Sequence, residues 1–121
     1  MKKILVVEDD PKMIRMLIDA LKKNNFETIE ATNGEEGLKS ALKSKPDLIL
    51  LDLIMPIMDG LEMLSKLRVQ DEGKNIPVII LTNSGDFDKI AQAVEGGICS
   101  YMVKSDFTID SLVKRIEELL K

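Results

Sequence analysis

Short apolar runs alternate along this chain with longer stretches whose apolar residues recur every three to four positions. The runs are KILVV (3–7), FETIEA (26–31), DLILLD (47–52), PVIILT (77–82) and SYMVK (100–104). Between the first two, Ile14, Leu17, Ile18 and Leu21 share one face of a helix expected over 11–24, the i, i+3, i+4, i+7 spacing of an amphipathic helix. Asp10 stands where an N-cap belongs, and Pro11 suits the first helical position. The turn Thr32-Asn33-Gly34 leads into a helix bearing Leu38, Ala41 and Leu42, and a third helix, over 61–71, carries Leu61, Leu64 and Leu67. A shorter fourth is expected near 86–95, ended by Gly96-Gly97, and Thr108 caps a fifth bearing Leu112, Ile116, Leu119 and Leu120.

The first, third and fourth runs are almost wholly Val, Ile and Leu, as strands are when both faces of a parallel sheet are covered. FETIEA alternates and reads as an edge strand with one wet face. Strict strand–helix alternation with right-handed crossovers gives an α/β fold: a doubly wound, five-stranded parallel sheet flanked by five helices. One domain is expected over 1–121, without an output domain.

Composition narrows the choice. The chain has 121 residues, 45% hydrophobic and 31% charged, which suits one globular core. A net charge of -4 argues against direct nucleic-acid binding, which rests on Lys and Arg at phosphates. A single cysteine, Cys99, precludes an intrachain disulfide and is expected to be inert; no apolar run approaches a membrane span. The cytoplasm is the expected location.

In open parallel sheets, ligands bind beyond the C-terminal ends of the strands. There this chain places Glu8, Asp9 and Asp10 from the first strand, Asp52 from the third, Thr82 from the fourth and Lys104 from the fifth. Taken singly, Asp52 reads equally as a solvated strand end, Thr82 as an ordinary β-branched residue, Lys104 as a solvated side chain and Tyr101 as half-buried packing. Together they pose a problem: neighbouring carboxylates repel unless a cation intervenes. A hard divalent ion such as Mg2+ is satisfied by one or two carboxylates plus water. Three charges from Glu8, Asp9 and Asp52 are then balanced by that ion and Lys104. Asp10 is assigned to capping. Asp52, central on the edge, is the best candidate for a carboxylate that attacks phosphorus and becomes an aspartyl phosphate, with Lys104 and Thr82 holding the transferred group.

The motifs VVEDD, LLDLIMPIMDG, ILTN and YMVK, at four successive strand ends, resemble the receiver domain of two-component response regulators across essentially the whole chain. The resemblance implies the strand order 2-1-3-4-5, flavodoxin-like. It implies Glu8 and Asp9 as the acidic pair, Asp52 as phosphoacceptor, Thr82 and Tyr101 as the switch pair, and Lys104 as the conserved-type lysine. Asp9, Asp52 and the backbone carbonyl of Ile54 would hold the Mg2+, with Glu8 beside them. In that family the phosphoryl group comes from a phosphohistidine. This chain has no histidine, so the donor must be another protein or domain, a sensor histidine kinase or a histidine phosphotransfer protein. The expected role is a signalling switch, not an enzyme acting on other substrates. Phosphorylation would alter the surface of the fourth helix, fifth strand and fifth helix for a downstream protein or a self-dimer. GGICSYM, with Ile98 and Met102, is an apolar stretch of that surface.

Three positions depart from the pattern. Ser105 follows Lys104 where the family usually has proline, so a trans peptide is expected. Asn83 follows Thr82 where a small residue is usual, and Ile54 is apolar beside the site. Crowding by Ile54 and Asn83 is expected to keep water from the acyl phosphate and lengthen its life. Two rival readings remain: a metal-dependent phosphatase or nucleotidyl enzyme, and a receiver-like binding module that is never phosphorylated. Ile54 counts against the first, because several such enzymes need a second acid there. No glycine-rich phosphate loop follows the first strand.

Overall fold

A computed structural model of the chain describes residues 1–83, 88, 91, 95 and 100–121. Five parallel strands, β1 (Lys3–Val7), β2 (Glu27–Ala31), β3 (Leu48–Asp52), β4 (Val78–Thr82) and β5 (Ser100–Val103), form one sheet in the order β2-β1-β3-β4-β5. Four helices are described: α1 (Pro11–Lys23), α2 (Gly34–Ser44), α3 (Gly60–Arg68) and α4 (Ile109–Leu119). The further helix expected near 86–95 falls largely outside the described residues; Asp88, Ala91 and Glu95 are helical and exposed. Ile98 and Cys99 lie outside them too.

Alternation along the buried strands divides the core in two. Leu5, Val7, Ile49, Leu51, Val78 and Ile80 face the layer where α2 and α3 bring Ala41, Met63, Leu64 and Leu67. Ile4, Val6, Leu48, Leu50, Ile79 and Leu81 face the other layer, packed by Ile14, Leu17, Ile18 and Leu21 of α1 and Leu112, Val113 and Ile116 of α4. Each fully buried Leu or Ile contributes about 1.5–3 kcal/mol, so the two layers together supply the dominant favourable energy of folding. β2 is an edge strand, as expected, but its wet side is not one face: Glu27 and Glu30, three residues apart and so on opposite faces, are both exposed.

Because the strands are all parallel, the four described helices each start on the edge where the preceding strand finishes. Asp10 Oδ1 accepts from the Lys12 N–H (3.0 Å), Asn33 Oδ1 from Glu36 (2.9 Å) and Asp59 Oδ1 from Glu62 (2.9 Å). Thr108 and Ser111 close a reciprocal capping box at α4.

The third helix ends at Arg68, three residues before the expected limit. The Arg68 guanidinium donates to the carbonyls of Gly73 and Ile76, both at 2.8 Å, and pulls the following turn back over Leu67. Helical periodicity does not register such a side-chain closure.

Candidate functional site

β1 delivers its acid by pairing. The Glu8 N–H continues the ladder to the Ala31 carbonyl (3.0 Å), which turns the side chain inward and leaves Glu8 1% exposed. Its Oε2 accepts from the Asp10 N–H (3.1 Å). Asp9, between them, is exposed, and Asp10 is engaged in capping. Asp52 is the last residue of β3, opposite Leu81 of β4, and 5% exposed. Thr82 ends β4 and is also buried; its hydroxyl donates to the Asn83 carbonyl (3.2 Å).

Lys104 comes from the far side of the sheet. Its N–H donates to the Thr82 carbonyl (2.6 Å), which fixes the start of its side chain just past β5. The ammonium then passes over β4 to lie 3.3 Å from Asp52 Oδ2 and 2.9 Å from Glu8 Oε1. No described peptide bond is cis, that between Lys104 and Ser105 included. Tyr101, paired with Ile80, is half exposed.

One ligand oxygen from each of Glu8, Asp9 and Asp52 lies within 4.8 Å of the others. Three carboxylates against one ammonium leave two negative charges. Burial pushes the Glu8 carboxyl up to about 7; Lys104 opposes this and repulsion from Asp52 adds to it. For Lys104, burial alone would lower the ammonium, but Glu8 and Asp52 override it and lift Lys104 above its usual range. Despite its distance from Lys104, Glu8 Oε1 has no well-oriented hydrogen bond among the described residues, although it is buried. An under-satisfied buried oxygen in an all-oxygen cluster with an excess of negative charge matches what a hard divalent ion requires.

The loop from Asp52 to α3 holds what residue-type reasoning missed. The Gly60 N–H donates to the Leu53 carbonyl (2.8 Å) and closes the loop. A Cβ on Gly60 would collide with the Asp52 carbonyl oxygen and come within 2.9 Å of Leu53 Cα. The Asp59-Gly60 dipeptide was the available signal. Met55 and Met58 are buried beneath the loop. Ile54 stands half exposed on it and Ile57 is 75% exposed.

A family model for the response regulator receiver domain matches residues 4–117. The chain is 37% identical over 119 residues to the sporulation initiation phosphotransferase F of Bacillus subtilis, covering 98% of this chain and 94% of that one. It is 35% identical to the transcriptional regulatory protein PrrA of Mycobacterium bovis, covering 98% of this chain but 50% of the relative. The chain thus spans about half the length of such transcriptional regulators. Among solved structures, the chemotaxis response regulator CheY4 of Vibrio cholerae superposes with a TM-score of 0.91 at 30% identity, covering 99% of each chain. The receiver domain of the sensor histidine kinase PA1611 from Pseudomonas aeruginosa, with a magnesium ion coordinated in its active-site cleft, superposes with a TM-score of 0.89 at 25% identity, covering 98% of this chain and 97% of that one.

Proposed function

This chain belongs to the response regulator receiver domain family, and from that premise we propose that Asp52 accepts a phosphoryl group from the phosphohistidine of a partner protein. The observation that carries the reading is the convergence of Lys104, Asp52 and Glu8 from three strands on one buried point. In the transfer, an Asp52 carboxylate oxygen forms a bond to phosphorus as the phosphorus–nitrogen bond to the imidazole breaks. The imidazole nitrogen keeps the electron pair. Lys104, held above its usual pKa, stays cationic throughout and stabilises the equatorial oxygens by charge and position. The Thr82 hydroxyl, at the end of the neighbouring strand, would turn from the Asn83 carbonyl to a phosphoryl oxygen.

Glu8, Asp9, Asp52 and the Ile54 carbonyl would hold Mg2+, and a bound dication supplies the neutralisation that lets an anionic donor approach two buried acids. The magnesium reported in the cleft of the PA1611 receiver supports this choice of metal.

The new charge would bias an equilibrium between two arrangements, with Thr82 and Lys104 drawn to the phosphoryl group and the exposed Tyr101 turning inward. The affected surface includes β5 and α4, where a cavity of about 180 Å³ is bounded by Tyr101, Met102, Phe107 and Arg115 among others. A downstream protein or a second copy of the chain would read that change. Incubation with a small acyl-phosphate donor and Mg2+, followed by intact mass measurement, tests the core of the reading. A single added phosphoryl group, absent in Asp52→Asn, is expected; an unchanged mass in the wild type would overturn it.

A further inference from the structure

Residues 53 to 59 carry the chain from Asp52 to α3 through a strained bend. The Met58 N–H donates to the Pro56 carbonyl (2.8 Å) around Ile57, whose φ is 70°. This is a three-residue γ-turn of the rarer hand, with a β-branched residue in the left-handed region. Nothing in the local packing compensates, because the Ile57 side chain is mostly exposed. Such strain persists only where the surroundings hold it.

Two backbone closures hold it. One is the Gly60–Leu53 hydrogen bond at the base of the loop. The other comes from a different part of the chain: the Gly34 N–H, at the first residue of α2, donates to the Met58 carbonyl (2.9 Å). A Cβ on Gly34 would run into that same oxygen and lie 3.0 Å from the Asp59 carbonyl. Only glycine lets the start of α2 come this close. Asn33, itself buried, fixes where α2 starts by accepting from the Glu36 N–H.

We propose that Gly34 is a positioning residue for the divalent-cation site: by clamping Met58 it holds the strained loop closed and so keeps the Ile54 carbonyl in place beside Asp52. This rests on the reading above that Ile54 and Asp52 share the cation. If the clamp acts against the strain at Ile57, removing the strain lessens the need for the clamp.

The test is a calorimetric Mg2+ titration of the whole chain as wild type, Gly34→Ala, Ile57→Gly and the double variant, at a temperature where circular dichroism shows each one folded. Gly34→Ala is expected to weaken Mg2+ binding about tenfold, the lower end for loss of a group that orients a ligand. Ile57→Gly is expected to melt higher and bind Mg2+ as the wild type does. The double variant is expected to recover affinity to within a factor of about three, a coupling that a purely structural defect would not show. A folded Gly34→Ala with wild-type affinity, or a double variant that binds no tighter than Gly34→Ala, overturns the inference and leaves the phosphoacceptor reading intact. Should Gly34→Ala fail to fold alone, the double variant decides: folded with near-wild-type affinity supports the clamp, and anything else overturns it. A wild type that binds no Mg2+ removes the cation reading and the clamp with it.

Discussion

The ammonium of Lys104 lies 3.3 Å from Oδ2 of Asp52, across the full width of β4. Its other neighbour is Glu8 Oε1. One cation thus serves two buried acids and offsets their mutual repulsion. Replacing Lys104 by Met is expected to destabilise the metal-free protein by about 2 kcal/mol, below the usual cost of orphaning a buried ion because the lysine side chain retains some exposure. Saturating Mg2+ should restore most of that loss. Urea unfolding with and without Mg2+ measures both, and equal losses in the two conditions would show that lysine and metal do not share a role.

The Glu8 carboxyl titrates near 7 in the folded chain against an ordinary value of 4.5. The folded state therefore holds a proton that the unfolded state has released across this window. Stability of the metal-free protein is greatest on this account below pH 4.5, and falls as pH rises to about 7, by on the order of a few kcal/mol. Mg2+ competes with that proton, so its affinity should climb over the same window. Glu8→Gln should flatten both profiles. Thermal melts and Mg2+ titrations at stepped pH check this; a Mg2+ affinity independent of pH between 5 and 7 would contradict it.

What the bare sequence discloses and what it hides divide along physical lines. Strand ends are legible because burial on both faces leaves uninterrupted Val, Ile and Leu, so Asp52 and Thr82 stand out as polar closures of β3 and β4. The helix caps at Asp10 and Thr108 are legible because their chemistry is local, whereas Asn33 and Asp59 read only as turn residues and emerge as caps in the structure. Backbone-to-backbone approach is not. Gly34 and Gly60 read as ordinary turn glycines, and nothing in the string says that one touches Met58 and the other Asp52. Nor does periodicity foresee Arg68 folding back to stop α3. The under-satisfied Glu8 Oε1 likewise arises only when three strands are brought together.

The Gly60 contact leads to a prediction about placement. An added methyl there must displace the Asp52 carbonyl or the start of α3, neither of which is a flexible side chain. Gly60→Ala is expected to cost about 1–3 kcal/mol, the range for overpacking a tight interior. It should also slow phosphorylation of Asp52 by a small acyl-phosphate donor, at a temperature where the variant remains fully folded. Chemical denaturation and timed intact-mass measurements separate the two effects. A stable variant with an unaltered rate would mean that the backbone at Asp52 tolerates movement.

On the proposed reading, water must reach the acyl phosphate for the mark to decay, and Ile54 and Asn83 are the residues expected to crowd its approach. Both are exposed, so neither is committed to the core, and the Ile54 side chain offers no hydrogen bond to orient an incoming water. An amide at the same place supplies a donor and an acceptor beside the phosphorus, the kind of group that positions a nucleophile. Ile54→Asn is therefore expected to shorten the lifetime of phosphorylated Asp52 severalfold with little change in stability, since exposed substitutions away from the core fall within about 0.5 kcal/mol. Ile54→Ala separates the two causes. It opens the path without adding a polar group, so a matching loss of lifetime assigns the protection to bulk. Decay followed by intact mass in the presence of Mg2+ gives the comparison, and identical lifetimes in wild type and both variants would remove Ile54 from any control of the switch's duration.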